Sequence, residues 1–422
     1  MFKKHVLKNG LRIILCPMPK SLATTFLVLV EAGSKYETKE INGVSHFLEH
    51  MCFKGTKNRP TALAISSELE SLGAAYNAFT GHEYTGYYAK VGVDKIDSAL
   101  DIISDMYLNP LFDEKEIEKE KGVIVEEINM YEDLPQKKVG EIFMKLLYGD
   151  QPAGWDIAGP RETVRAIKKE DIVNYRARHY VPSATTVVVS GAFKEKEMLK
   201  KLNKTFAEVQ RGKGMGKKKV LESQSRPAAV LQSKQLDQTH LILGFRAFDM
   251  FDKRRYALDV LCDILGGGMS SRLFQKIRGE MGAAYYINCG SSLLTDHGFV
   301  SVSAGVDNRR VKEVIKAILG EINKIKAEPI SKEELQKTKN HITGRMMIGL
   351  ETSDSVAEFY GEQELFKQKI LTPEQIVKKI KAVKASDVRA IAREIFTNDK
   401  LNLAIIGPFE NGSEFEELLK LS

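Results

Sequence analysis

His46-Phe47-Leu48-Glu49-His50 sets two imidazoles and one carboxylate at positions i, i+3 and i+4, so a helix over this stretch carries all three on one face. Such a face can hold a metal ion with a base beside it. The order of histidine, two spacers, glutamate and histidine is the inverted zinc-peptidase signature. Histidines that only pack or face solvent are the alternative. A buried helix must satisfy these polar groups, however, and a metal ion does so.

A zinc site needs a further protein ligand, and the acidic segment 113–130 offers candidates. Its apolar period predicts a helix in which Glu120 and Glu127 face the same way, two turns apart. Runs of glutamate and lysine are also typical of a solvated helix face. Spacing alone does not distinguish Glu127 from Glu116 or Glu126 as the third ligand.

The zinc motif and the residues that follow it, Met51-Cys52-Phe53-Lys54-Gly55-Thr56, resemble the pitrilysin/insulinase family of zinc peptidases, most closely its mitochondrial-processing-peptidase branch. The family's third ligand ends a segment that reads Glu-Arg-x-x-apolar-x-x-Glu. Residues 120–127 stand at the matching place, with Lys121 where arginine is usual. The resemblance implies one zinc ion per chain, and Glu120 as a carboxylate that orients the site. The implied zinc ligands are His46, His50 and Glu127.

A second match, residues 268–285, is similar to the family's carboxy-terminal signature. There an arginine, and a tyrosine seven residues later, reach the substrate and the zinc site. The resemblance implies these roles for Arg278 and Tyr285, with Ala283 where leucine is common. Without the family, the two would be an ordinary surface arginine and an ordinary strand residue.

A third match, residues 73–80, leads into an aromatic stretch at 84–88, and the two predict a pair of strands. In the family the first of these strands is an exposed edge that pairs with the peptide. The resemblance implies that Asn77, Ala78 and Phe79 bind extended substrate through main-chain hydrogen bonds. A purely structural hairpin, with Phe79 in the core, is the alternative.

An internal repeat indicates two homologous halves in this chain of 422 residues, which is longer than one hydrophobic core usually organises. Residues 171–193 and 387–409, which are 216 positions apart, each predict an amphipathic helix, a turn and an apolar strand. We therefore predict an α+β protein. The predicted parts are a zinc-binding peptidase domain at 1–210, a Lys/Gly-rich linker at 211–227 and a homologous domain with the Arg/Tyr motif at 228–422. The resemblance implies that each half is an antiparallel sheet covered by helices, and that the halves face each other as a clamshell around a chamber.

Charge and composition exclude several classes of partner. The chain has 63 basic and 56 acidic residues, a net charge of +7, and no basic stripe that would require nucleic acid. No apolar run is long enough to cross a membrane, and we expect no signal peptide because the amino terminus runs directly into a strand pattern. Four scattered cysteines predict a reduced, cytoplasmic protein.

The sequence thus predicts a zinc metalloendopeptidase that hydrolyses unfolded peptides or presequence-like segments in an enclosed chamber. Zinc-bound water is the expected nucleophile and Glu49 the general base, while Tyr285 and Arg278 would bind the substrate carbonyl or the oxyanion. Besides the peptide, the expected partner is a second copy in a homodimer, or a homologous subunit in a heteromer. The competing function is a non-catalytic structural or partner subunit of a two-component processing peptidase. Inert relatives typically lose the ligands or the base, whereas this chain keeps all four.

Overall fold

Two compact units make up the protein in the computed structural model, which describes residues 2–207, 209 and 212–421. The first unit comprises the residues up to Ile128, Asp156–Lys218 and Met347–Thr372. The second comprises Asn129–Trp155, Lys219–Met346 and the residues from Pro373 onward.

The units are not the contiguous domains 1–210 and 228–422, because the chain passes from one unit to the other several times. The second unit takes Asn129–Trp155 from the first predicted domain, and the first unit takes Met347–Thr372 from the second. The predicted linker 211–227 is divided after Lys218. Its first residue, Arg211, lies outside the described residues, as do the predicted domain ends at 1, 210 and 422.

Each unit is built on one sheet. In chain order the strands are β1 (Lys3–Val6), β2 (Arg12–Pro17), β3 (Ala23–Val30), β4 (Ala75–Thr80), β5 (Thr85–Gly92), β6 (Thr185–Gly191), β7 (Ala228–Ser233), β8 (Gln238–Ala247), β9 (Ala284–Leu293), β10 (Gly298–Asp307) and β11 (Leu401–Gly407). The first sheet has the order β1-β2-β6-β3-β5-β4, and the second has the order β7-β11-β8-β10-β9. From β2 onward the two sheets therefore correspond strand for strand.

Each sheet is mostly antiparallel but contains one parallel pair, which corrects the expectation of an antiparallel sheet in each half. β2 runs parallel to β6, and β7 runs parallel to β11, while the other neighbouring strands are antiparallel. Parallel neighbours need a long crossover connection. In each unit the parallel pair joins an early strand to the last strand, so the intervening chain has the length to return.

Helices surround the sheets. In chain order they are α1 (Val44–Met51), α2 (Ala62–Ser71), α3 (Ile96–Leu108), α4 (Glu114–Glu132), α5 (Pro135–Tyr148), α6 (Arg161–Ala166), α7 (Lys169–His179), α8 (Glu195–Phe206), α9 (Arg255–Gly266), α10 (Val311–Ala327), α11 (Lys332–Gly349), α12 (Ser353–Leu365), α13 (Pro373–Ala382), α14 (Ala385–Ile395) and α15 (Ser413–Glu416). A π-helical segment, Phe274–Glu280, precedes β9. In the first unit α12 packs on β3 and β6, and in the second α5 packs on β8 and β11.

The prediction of two homologous halves is confirmed. Helices α7 and α14, and strands β6 and β11, begin and end 216 positions apart. Even the helix starts correspond, because the main-chain N–H of Lys168 donates to Asp171 Oδ2 at 2.9 Å, and that of Lys384 donates to Asp387 Oδ2 at 2.8 Å. Each unit also has a hydrophobic core of its own. Among the described residues, no helix is both long enough and apolar enough to cross a membrane.

Candidate metal centre

Helix α1 is anchored by its apolar face. Phe47, Leu48 and Met51 are fully buried in the core of the first unit, where α1 packs against α7 and β4. At helical spacing, His46 and His50 then share a face that is turned away from this apolar anchor. Their ring centroids lie 4.6 Å apart. The predicted helix is thus present, and packing fixes the direction of both imidazoles.

Glu127 on α4 lies opposite these imidazoles. Its Oε2 is 3.6 Å from His46 Nε2 and 3.4 Å from His50 Nε2. Two ligands at 2.0–2.1 Å from a tetrahedral zinc ion lie about 3.4 Å apart, so these spacings fit zinc. Among the described residues, this is the only group of three possible metal ligands whose donor atoms lie within 4.8 Å of one another.

The two alternatives for the third ligand point elsewhere. Glu116 pairs with Lys119 on the surface of α4, at 2.5 Å, and Glu126 is exposed. Of the three glutamates, Glu127 is the one whose donor atom lies beside those of the two histidines, and its role as the third ligand stays a prediction.

Glu120 orients the His50 ring through a hydrogen bond from Nδ1. Its Oε1 accepts a hydrogen bond from His50 Nδ1 at 2.8 Å, and its Oε2 is 2.5 Å from Lys54 Nζ. Burial works to raise the pKa of Glu120, but the hydrogen bonds from His50 and Lys54 outweigh it and lower that pKa. With Nδ1 occupied as a donor, His50 presents Nε2 to Glu127 and to a metal ion.

The two histidines differ electrostatically. Burial, together with the charge of His50, lowers the pKa of His46. Burial also disfavours the charged form of His50 and by itself would lower the pKa of His50. The hydrogen bonds of His50 to Glu120 and Glu127 outweigh burial and raise that pKa. A metal ion must replace the His50 proton, because only the neutral imidazole can act as a ligand.

Glu49 lies on α1 between the two histidines. Burial raises the pKa of its carboxyl group, while a hydrogen bond from Thr80 Oγ1 to Glu49 Oε2, at 2.5 Å, opposes that rise. Thr80 is the last residue of β4. The carboxylate is therefore joined directly to the strand that was predicted to bind the peptide.

Among the described residues, strand β4 pairs with β5 alone and so forms one edge of the first sheet. Asn77 is exposed, whereas Ala78 is buried. The Phe79 ring packs so closely on Gly86 of β5 that a Cβ atom added to this glycine would lie 2.3 Å from Phe79 Cζ. The Phe79 side chain is half-buried there, and both its substrate-binding role and its place in the core stay predictions. No other strand of the described residues pairs with the second edge of β4, while the Ala78 N–H donates to Asn77 Oδ1 at 3.0 Å.

Arg278 and Tyr285 lie together in the second unit. The Arg278 guanidinium carbon is 5.8 Å from the centroid of the Tyr285 ring and 5.0 Å from that of Phe274. Arg278 is exposed, and Tyr285 is 73% exposed. The two predicted side chains thus form one accessible pair on the π-helical segment and the start of β9.

Sequence reasoning missed three residues that support the centre. Lys54 and Thr80 lie inside quoted motifs, but their partners became visible only in three dimensions. Glu37 accepts hydrogen bonds from the start of α1, and no sequence pattern around Glu37 predicts this contact.

Two homologous α+β units, with an inverted histidine-glutamate-histidine motif facing a glutamate in the first, define the class of inverted-motif zinc proteases. Comparison with known families agrees. Residues 12–161 match the family described as Insulinase (Peptidase family M16), and residues 166–342 match the one described as Peptidase M16 inactive domain. The chain belongs to this family, the M16 peptidases. Its resemblance to the mitochondrial-processing-peptidase branch stays a prediction.

Bacterial relatives cover nearly the whole chain. It is 35% identical to YmxG of Bacillus subtilis, described as an uncharacterized zinc protease, over 97% of this chain and 99% of that protein. An uncharacterized zinc protease of Rickettsia felis is 34% identical, over 96% and 98%. The fold is similar to that of a protease from Helicobacter pylori, with a TM-score of 0.90 at 22% identity, over 97% and 99% of the two chains.

Proposed function

We propose that this protein is a zinc metalloendopeptidase that cleaves unfolded peptides or presequence-like segments. The observation that carries the proposal is the position of Glu49 between two histidines whose Nε2 atoms lie 3.4 and 3.6 Å from Glu127 Oε2. These groups combine a complete set of zinc ligands with a neighbouring base. The names of the zinc-protease relatives support the same activity.

The chemistry divides between the metal and the side chains. When bound to His46, His50 and Glu127, zinc would lower the pKa of a water ligand to about 7 and polarise the scissile carbonyl. Glu49 would take the proton of the attacking water and deliver it to the leaving amine. The hydrogen bond from Thr80 favours the ionised form of Glu49, which is the form that can accept a proton.

Substrate binding would use the free edge of β4. An extended peptide can add to this edge through main-chain hydrogen bonds, which grip many sequences. Because β4 ends at Thr80, whose hydroxyl contacts Glu49, a peptide on this edge would run towards the base. We propose that Arg278 and Tyr285 donate hydrogen bonds to the substrate carbonyl or to the oxyanion that develops from it.

Removal and return of zinc test the function. We expect a chelator to abolish cleavage of a quenched fluorescent peptide library, and one equivalent of zinc per chain to restore it. Glu127→Gln should lose both zinc and cleavage, whereas Glu126→Gln, its exposed neighbour, should keep both. Cleavage that survives chelation, or equal effects of the two variants, would contradict the proposal.

The Arg/Tyr pair has its own test. If Tyr285 stabilises the oxyanion, Tyr285→Phe should lower kcat about 10- to 100-fold and leave KM nearly unchanged, because the interaction is made in the transition state. Tyr256→Phe, in the same unit, is the matched control. A change in KM alone would assign Tyr285 to substrate binding.

A non-catalytic partner subunit is the second candidate. The observation that favours it is the description "inactive domain" for the family that residues 166–342 match. No cleavage by the chain alone, together with cleavage in a complex with a homologous subunit that Glu49→Gln in this chain leaves unchanged, would support this candidate. We also propose a homodimer, to be measured by light scattering, and a reducing cytoplasmic location, which four buried free cysteines support.

A further inference from the structure

Glu37 reaches the start of the metal-binding helix from a preceding loop. Its Oε2 accepts hydrogen bonds from the main-chain N–H of Gly43 and from Asn42 Nδ2, each at 2.8 Å. Its Oε1 accepts from the main-chain N–H of Ser45 at 2.8 Å and from the Ser45 hydroxyl. The side chain is buried, at 4% exposure. Four donors converge on two oxygens, and three of them are N–H groups that can only donate, so the contacts fit a carboxylate.

The helix needs this outside carboxylate because it has no cap of its own. Helix α1 begins after Gly43, whose φ is 100°, and a Cβ there would lie 2.4 Å from the carbonyl oxygen of Ala158. Serine, threonine or aspartate, the usual capping residues, cannot occupy this position. Glu37, six positions before Gly43, therefore satisfies the main-chain N–H groups of this N-cap residue and of Ser45 in the first turn.

Charge gives Glu37 a second consequence. His46 is the third residue of α1, so one metal ligand stands in the first turn, at the positive end of the helix dipole. A cation is disfavoured there, and a buried negative charge at the same end offsets that effect.

We propose that Glu37 is a positioning residue for the metal centre. Its carboxylate fixes the first turn of α1, and thereby His46, and supplies the charge that lets this turn hold a divalent cation. The inference rests on the proposed function in that the cation is taken to be zinc.

The test is zinc affinity, measured by competition with a chromophoric chelator. It is set at pH 8 because burial raises the pKa of Glu37 to about 7, despite its hydrogen bonds. We expect Glu37→Gln to bind zinc about tenfold more weakly, the lower end of what groups supporting a metal site contribute. We expect Glu37→Asp, which keeps the charge, to bind more tightly than Glu37→Gln. Glu40→Gln, an exposed glutamate of the same loop, should change affinity less than twofold.

Two further measurements separate positioning from general stability. The absorption spectrum of the cobalt-substituted protein should change in Glu37→Gln, because His46 is displaced, and should not change in Glu40→Gln. Ser45→Ala, which removes one donor and keeps the charge, should weaken zinc binding about threefold; it serves if Glu37→Gln does not fold.

The outcomes are exclusive. If Glu37→Gln folds, unchanged zinc affinity together with an unchanged cobalt spectrum would overturn the inference, even with a lower Tm. If only Ser45→Ala folds, unchanged zinc affinity in that variant would overturn it. Because affinity is measured without substrate, a wild-type chain that binds zinc but cleaves nothing would remove the proposed peptidase and leave the role of Glu37 standing.

Discussion

Replacement of Glu120 by glutamine is the sharpest test of how the metal centre is held. Glutamine keeps the shape of the side chain, and its oxygen can still accept from His50 Nδ1, now 2.8 Å from Glu120 Oε1. Glutamine lacks the negative charge of Glu120, whose Oε2 lies 2.5 Å from Lys54 Nζ and whose side chain is only 3% exposed. Zinc should therefore bind more weakly, because His50 becomes a poorer ligand.

The magnitude follows from these contacts. A hydrogen bond to a charged group contributes about 1.5–3 kcal/mol, against about 0.5–1.5 kcal/mol for a neutral one, so the exchange costs about 1–1.5 kcal/mol. The ion pair with Lys54 stabilises the fold with and without zinc, so its loss adds to the change in stability and not to the change in zinc affinity. A cost of about 1–1.5 kcal/mol corresponds to roughly a 5- to 12-fold loss of zinc affinity.

The assay is competition with a chromophoric chelator at pH 8, with circular dichroism as the check on folding. Glu118→Gln is the matched control, because Glu118 lies on the same helix and pairs with Lys121 at the surface. We expect that variant to bind zinc within twofold of wild type. Equal affinities for Glu120→Gln and wild type, or an equal loss in the control, would refute the reasoning.

Three further outcomes are expected. Thr80→Val should raise the pKa of Glu49 and move the acid limb of the kcat/KM profile to higher pH; an unmoved limb would separate Thr80 from the base. Gly86→Ala should lower stability by about 1–3 kcal/mol, since the new Cβ would lie 2.3 Å from the Phe79 ring, and Phe79→Leu should relieve it; an unchanged Tm would contradict that packing. Burial lowers the pKa of His179 to about 4 in the folded protein. As pH drops below about 6.5, His179 is therefore protonated in the unfolded chain before it is protonated in the folded one. The free energy of unfolding should fall by up to about 3 kcal/mol between about pH 6.5 and 4. In urea unfolding, His179→Phe should show a smaller decrease in the free energy of unfolding over this pH range. An equally steep decrease would mean that a group other than His179 causes it.

Local patterns were enough to predict the elements that carry the centre. The motif at 46–50 required a helix, and α1 covers it; the apolar period of 113–130 required another, and α4 extends from Glu114 to Glu132. The choice of Glu127 came from the family resemblance, because Glu116, Glu126 and Glu127 share one helix and differ only in what faces them. That difference is a tertiary contact, which spacing cannot supply.

The interleaving of the two units was beyond sequence reasoning for a similar reason. The amphipathic pattern of α5 predicts a helix with one buried face but does not say which sheet it covers. In the structure α5 packs on β8 and β11, far along the chain. Glu37 was missed because loop residues that cap a helix from a distance leave no periodic signal.

The central claim is that Glu49 is the base of a zinc peptidase, and the most direct measurement is peptide cleavage by zinc-loaded Glu49→Gln beside zinc-loaded wild type. Both should contain one zinc ion per chain by elemental analysis, since Glu49 is not a proposed ligand. We expect the variant to cleave at least about 100-fold more slowly, because a general base contributes about 10²- to 10⁴-fold. Cleavage at the wild-type rate by a fully zinc-loaded variant would contradict the account.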